Sequence, residues 1–546
     1  MNLQRLCIPA AVWAVTVVLV APPAAAAEDV SALRQAIVDL HANAPAEVLG
    51  FAPREVGLTE TEQDLHAVYH ETGLGALWVT PDGPGKHARA VREVVTNAAD
   101  EGLDPDDYHA AELSRYWSSR SPEDLARLDT LITLAFITWT NDASVGRVHP
   151  RLKHPDLFAS AADRQFDSVE VVRAYLAAEE PASYLQQLTP QHRYYRGLRA
   201  ALKRYGALRD SGGWSPVPDG PTLHPGDEDS RVIELRRRLA VTGEYIGQAP
   251  ESAVFDDALR TAIEAFQTTH GLEPDGVVGP ATLAALNVSV DDRIRQIEMN
   301  MERWRWTSHD LGNPYVMVDI AGFDLQAVVD DEVALEMPVI VGKLHHESPV
   351  FSDHIKYIEF NPFWNLTPNI ARHETVPRLR RDPDYLADKH IRVFDGWGAD
   401  ARELDPSRID WNAVKHPGGF KFRQDPGPWN ALGTMKFVFP NEYSVYLHDT
   451  PNHSLFGESR RAFSHGCIRL SDPARLAEFI LGLERSPWRM ADIEAVLDSK
   501  KRTVKPLGKP LAVHLTYETA WVDGEGRLHF APDVYGRDEK LRQALY

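Results

Sequence analysis

The spacing of apolar residues along the 546-residue chain changes character twice. From residue 28 to about 215, Ala and Leu recur three and four positions apart, the period of a helix with one buried face. Ser121-Pro122-Glu123-Asp124 supplies a helix start within that stretch. Leu128 to Trp139 is almost continuously apolar, but it is short and interrupted by Asp129. It therefore predicts a buried core helix rather than a membrane span. Residues 28–215 read as a helical scaffold without a catalytic constellation, with Tyr69, Trp78 and Trp139 available to line a surface.

A turn-rich stretch from Ser211-Gly212-Gly213 through Pro225-Gly226-Asp227 predicts a linker. Three short helices follow over residues 229–287. Val232, Leu235 and Leu239 share one face. Asp256 caps a second helix carrying Leu259, Ala262, Ile263 and Phe266, which Gly271 stops. Gly279-Pro280 opens the third, with Leu283 and Leu286 facing inward.

From Tyr315 the period becomes two. Val316, Val318 and Ile320 alternate with Met317 and Asp319, and Leu325–Val329 runs through Asp330-Asp331 into Val333–Val341, a hairpin pattern. Further strands are predicted at Ile355–Phe360, Lys436–Phe439 and Tyr443–His448. Asp472-Pro473 begins a helix bearing Leu476, Phe479, Ile480 and Leu483. A final hairpin is expected around Leu511–Val522 and Gly526–Ala531, within a C-terminal segment 501–546. Between 367 and 428 the strand pattern lapses into charged, Pro- and Gly-containing sequence, read as an insertion that caps a site in the domain 312–500. The fold class is thus multidomain α+β: a helical scaffold, a three-helix domain and a mainly β domain with an insertion.

The N-terminus adds a cellular address. Arg5 is the only charge in residues 1–27, an apolar run extends from Ile8 to Val20, and Ala24–Ala27 offers small residues for cleavage. This is a signal-peptide pattern, and it predicts a periplasmic protein, or one anchored to the inner membrane if the segment is retained. Without Arg5, 57 of the 58 basic residues remain against 79 acidic ones, a net charge of −22. Such a balance opposes nucleic-acid binding, which needs clustered Lys and Arg.

Of two cysteines, Cys7 lies in the signal segment, which leaves Cys467 without a disulfide partner. A lone thiol in an oxidising compartment is a liability unless it does chemistry. Its setting, Ser464-His465-Gly466-Cys467-Ile468-Arg469-Leu470, suits a nucleophile. A base or positive neighbours are needed to hold the sulfur as thiolate. Backbone N–H groups at Gly466 and Cys467 are candidate oxyanion donors. Arg469 either holds a substrate carboxylate or closes an internal salt bridge. His448, at the end of a predicted strand 19 residues before Cys467, is the candidate base, and His465 is expected nearby. Trp364 either lines the cleft or packs in a core. His345-His346 and His373-Glu374 have neither HExxH spacing nor a cysteine cluster, so no metal and no cofactor is expected.

HDTPNHSLFG at 448–457 with SHGCIRL at 464–470 resembles the L,D-transpeptidase catalytic domain, whose signature is a His-containing motif followed by SHGC and an Arg or Asn two residues later. In many relatives the first motif reads His-Gly-Thr; Asp449 stands in place of that Gly, a variant similar to that of the large Gram-negative members. FQTTHGLEPDGVVGPATLAALN resembles the small helical peptidoglycan-binding domain of many cell-wall enzymes. The resemblance implies Cys467 as nucleophile and His448 as general base and acid, with the carbonyl of Asp449 orienting the imidazole, His465 shaping the pocket and Arg469 positioning substrate. It implies attack on the bond between diaminopimelate and the terminal D-Ala of a stem peptide. A thioester would follow, to be resolved by the side-chain amine of a second stem, and carbapenems would acylate the same sulfur. Peptidoglycan stem peptides and glycan strands are the implied partners, with cell-wall synthesis proteins as candidate partners of the scaffold. Two other readings stay open: a carboxypeptidase or endopeptidase that uses water as acceptor, and an inactive wall-binding scaffold.

Overall fold

The computed structural model describes residues 24–43, 58–148, 166–247 and 251–546. The predicted signal segment lies outside them except for its last four residues, which open the helix Ala24–Asn43 (α1). No helix among the described residues is long and apolar enough to cross a membrane. The chain forms two compact units.

The first unit is helical. It holds α1, Leu58–Glu71 (α2), Lys86–Thr96 (α3), Ala110–Tyr116 (α4), most of Pro122–Ser144 (α5) and Ser168–Leu176 (α6). Asp129, which interrupts the apolar run of α5, is an internal acceptor. Its carboxylate takes N–H bonds from Leu77, Trp78 and Val79 at 2.7–3.1 Å and the hydroxyl of Tyr69 at 2.6 Å. Burial raises its pKa to about 6 against those bonds. Tyr69, Trp78 and Trp139 do not line a surface, because all three are buried and the Trp78 indole donates to Thr133 Oγ1 at 2.7 Å. Their apolar area stabilises the core more than exposure would.

In the second unit, residues 229–287 form Arg231–Thr242 (α8), Asp257–Thr269 (α9) and Pro280–Leu286 (α10) around Val232, Leu235, Leu239, Phe255, Ile263 and Phe266, preceded by Arg193–Asp210 (α7). Asp256 accepts from the N–H of Leu259 at 2.9 Å, and Gly271 ends α9 with φ +64°. The pattern gave no sign of the next helix, Val290–Trp306 (α11). Its buried face carries Asn300, Glu302, Arg303 and Arg305, paired inside the protein, as in the 3.0 Å Arg305–Glu302 bridge. Polar residues on a buried face erase the amphipathic signal. α11 and α7 bury Ile297, Met301, Trp304, Tyr194 and Leu198 in one cluster with the strand residues Tyr315, Met317 and Val328.

The β domain is a closed ring. Its strands are Tyr315–Asp319 (β1), Asp324–Val329 (β2), Glu332–Gly342 (β3), Phe351–Phe360 (β4), Met435–Val438 (β9), Leu447–His448 (β10), Ile468–Leu470 (β12) and Thr503–Thr516 (β13). They pair in the order β12-β10-β9-β4-β13-β1-β2-β3, and β3 returns to β12. Ala462–Ser464 (β11) adds to β3. The turn at Asp330-Asp331 has φ +51° and +66°, the left-handed pair a tight hairpin favours. Pro473–Gly482 (α12) and Met490–Asp498 (α13) follow the last short strands.

Two strand expectations are corrected. Tyr443–Val445 is not strand; Ser444 has φ +57°, which breaks the extended run before Leu447. The C-terminal segment 501–546 is not a separate hairpin. β13 lies inside the ring, antiparallel to β4 and parallel to β1, and only Ala520–Val522 and Leu528–Phe530 form a hairpin. Pro506, Gly508 and Pro510 disguise β13 in the sequence, and its register slips between Pro506 and Leu511.

The insertion is a folded lobe. Trp364–Asn365 (β5), Ile391–Phe394 (β6), Glu403–Leu404 (β7) and Lys421–Gln424 (β8) form a sheet of order β5-β8-β6-β7. Leu366, Val376, Leu379, Val393, Trp411 and Phe422 fill its core, with Trp364 packed against it.

Candidate active site

Strand register assembles the site. Glu359 on β4 lies opposite Lys436 on β9, Lys436 opposite His448 on β10, and His448 opposite Arg469 on β12. Residues opposite one another project to the same face, as do alternate residues along each strand. Cys467 and Tyr446, each two residues earlier than Arg469 and His448, therefore fall on that face one step along. The N–H of Ile468 donates to Tyr446 O at 3.1 Å to hold the two segments together, and the Tyr446 side chain lies near enough to the Cys467 sulfur to influence its ionisation.

The turn that presents the sulfur is fixed by its own side chain. Ser464 Oγ accepts the N–H of Gly466 at 3.0 Å and donates to the carbonyl of Cys467 at 2.6 Å. Gly466 has φ +109°, while a Cβ there would come no nearer than 3.6 Å to a neighbour. Backbone conformation, not space, requires glycine at this point. Cys467 is half-buried, with Sγ 3.9 Å from Ser444 O. The Gly466 N–H is consumed by Ser464 and is not an open oxyanion donor, which corrects that expectation. The Cys467 N–H has no hydrogen-bond partner among the described residues.

His448 is buried, with Nδ1 2.5 Å from the carbonyl of Asp449. A carbonyl can only accept, so Nδ1 carries the proton and Nε2 is the basic nitrogen. The Asp449 carboxylate points elsewhere, accepting from Thr434 N and Oγ1 at 2.8 and 2.7 Å and from Thr450 N at 2.7 Å. Burial, then the Arg469 and Lys436 charges, lowers the His448 pKa to about 3. Burial raises the Cys467 thiol above its ordinary value despite Tyr446, Lys436 and Arg469. Both shifts favour thiol and neutral imidazole over the thiolate expected from sequence, because desolvation outweighs the nearby cations.

His465 sits at the lip. Its Nε2 is 2.6 Å from Glu374 Oε1 of the cap and 3.3 Å from Lys343 Nζ, and its ring meets His346 at 4.9 Å. Arg469 makes no ion pair among the described residues, and its buried Nε has no partner there. No group of three or more His, Cys, Asp or Glu among the described residues is arranged to hold a metal. Sequence reasoning passed over Lys436, Tyr446 and Glu374. Tyr446 had a signal, its place two residues before His448 on one strand face; Glu374 had none, since only the tertiary fold brings it to His465.

Residues 313–505 match the family model "L,D-transpeptidase catalytic domain", residues 228–286 "Putative peptidoglycan binding domain" and residues 63–202 "Scaffold domain". A Haemophilus influenzae protein named "Putative L,D-transpeptidase" is 33% identical over 250 residues, 46% of this chain and 49% of that protein. The chain thus spans about half the length of this curated relative. Among solved structures, an L,D-transpeptidase from Mycobacterium smegmatis is 14% identical over 37% of this chain and 58% of that one, with a TM-score of 0.19. One from Stackebrandtia nassauensis is 13% identical over 55% and 96%, with a TM-score of 0.20.

Proposed function

We propose, on the premise that residues 313–505 are an L,D-transpeptidase catalytic domain, that this protein cross-links peptidoglycan stem peptides through a thioester on Cys467. The observation that carries the reading is the pairing of the strand ending at His448 with the strand that begins one residue after Cys467, with the Nδ1 proton of His448 committed to Asp449. Nε2 takes the thiol proton as Sγ attacks the carbonyl between diaminopimelate and D-Ala. The C–N bond breaks, the proton passes to the departing D-Ala amine, and the acyl group stays on sulfur. The side-chain amine of a second stem then gives its proton to His448, attacks the thioester and releases the thiol. A neutral thiol–imidazole pair suits this route, since the proton moves only as the bond forms.

Arg469, unpaired at its buried Nε, suits a substrate carboxylate. His465 shapes the cleft mouth with Glu374. The domain at 228–286 supports peptidoglycan as partner, and export through residues 1–27 to the periplasm completes the proposal. Water as acceptor remains the second reading, because Cys467 is half-buried rather than enclosed. The test is purified protein with disaccharide-tetrapeptide: D-Ala and cross-linked dimers by mass spectrometry are expected. Trimmed monomers alone would mean hydrolysis. No product, with Cys467→Ser behaving like wild type towards a carbapenem, would refute both.

A further inference from the structure

Ser348, fully buried in the loop between β3 and β4, has every polar atom engaged. Its Oγ accepts the N–H of Gly342 at 2.9 Å and donates to the carbonyl of Gly466 at 2.8 Å. Its N–H donates to the Tyr535 hydroxyl at 3.3 Å, and its carbonyl accepts from Arg537 Nη2 at 3.1 Å. The Tyr535 hydroxyl in turn donates to Gly342 O at 2.5 Å. Arg537 lies over the rings of Tyr517 and Tyr535, 4.5 and 4.8 Å from their centres, and also reaches Glu347. Gly342 is required for this approach, because a Cβ there would fall on His346 O.

The carbonyl of Gly466 and the N–H of Cys467 belong to one peptide plane, and in a trans peptide they point in opposite directions. A hydroxyl that pins the carbonyl inward turns the N–H outward, towards the cleft face. That N–H is the one left without a partner, whereas the neighbouring Gly466 N–H is tied to Ser464.

We infer that Ser348 is the positioning residue that aims the Cys467 N–H at the oxyanion formed during acyl transfer, and that Tyr535 and Arg537 hold Ser348 in place. The inference rests on the acyl-transfer reading above. It also extends the catalytic apparatus beyond residue 505, into a C-terminal segment outside the matched domain.

The test compares two reactions of the same sulfur in the full-length protein. Alkylation by iodoacetamide forms no oxyanion, whereas acylation by a carbapenem does. Loss of an oxyanion donor slows acyl transfer by roughly 10²–10³-fold, so Ser348→Ala, which leaves the donor present but unaimed, is expected to slow acylation about 10–100-fold. Alkylation should stay within about twofold, which also reports an intact fold, and Ser348→Thr should recover most of the acylation rate. Tyr535→Phe should give the same split on a smaller scale. Equal losses in both reactions, or none in either, would overturn the assignment. A wild type that is alkylated but never acylated would overturn the transpeptidase reading itself, and this inference with it. A wild type that is acylated at the same rate as Ser348→Ala overturns the role of Ser348 alone.

Discussion

Glu374, on a π-helical turn of the cap at Ala371–Thr375, places Oε1 2.6 Å from Nε2 of His465, two residues before Cys467. The contact ties the inserted lobe to the turn that carries Cys467. Both side chains are about a third exposed, so the pair is worth at most about 1 kcal/mol. Glu374→Ala should therefore raise amide exchange over residues 364–379 by up to about fivefold. The KM for a stem peptide should move by a similar factor while the melting temperature stays unchanged. Unchanged exchange would remove the contact from any role in cap closure.

The depressed pKa of His448 predicts the acid side of the pH profile. A base with a pKa near 3 stays neutral through pH 5, so acylation should persist well below the usual histidine range near 6.5. Arg469→Gln removes the cation that most opposes imidazolium, which should raise the His448 pKa and move the acid limb upward by roughly half a unit to one unit. Carbapenem acylation rates between pH 3 and 8 measure this directly.

The raised thiol makes a separate prediction. Iodoacetamide reacts with thiolate, so its rate should climb with a midpoint above that of an ordinary cysteine. A rate already at its plateau below pH 7 would indicate a standing thiolate–imidazolium pair instead.

Gly466→Ala forces a side chain into φ +109°. The strain should cost about 1–2 kcal/mol, read as a lower melting temperature. Because the turn also sets the peptide before Cys467, acylation should fall more than tenfold.

In the three-helix domain, Asp256 caps α9 and pairs with buried Arg236 at 2.9 Å. Arg236 keeps Tyr245 Oη, Ser252 O and Val254 O as acceptors. Asp256→Ala should therefore cost little more than the cap, about 1 kcal/mol. Faster exchange across Asp257–Thr269 with unchanged alkylation of Cys467 is the expected result.

The parts legible in sequence were those with a local signature. Asp256, Gly271 and Gly279-Pro280 mark helix ends within a few residues, and Asp330-Asp331 marks a turn, so the three-helix domain and the first hairpin could be drawn from pattern alone. Cys467 and His448 stood out because a thiol set among His465, Gly466 and Arg469, with a histidine upstream, is chemically conspicuous. What escaped was non-local. α11 hides its period behind buried Arg and Glu that pair only in the fold, and β13 is disguised by Pro506, Gly508 and Pro510. The ionisation of the site also escaped, since burial sets it and burial has no sequence signature. Lys436 and Ser348 gain their meaning only from strand register and loop approach.

The position of β13 between β4 and β1 bears on how the protein is made. Until residues 503–516 have left the ribosome, the ring is open, and two strands carry bare hydrogen-bonding edges of the kind that recruit other chains. Cys467 is synthesised before the strand that closes its barrel, so the nascent chain must pass through a stage with its thiol made and its architecture incomplete. A chaperone that shields open sheet edges would act in that interval, and a ribosome stalled before residue 503 should yield a protease-sensitive β domain.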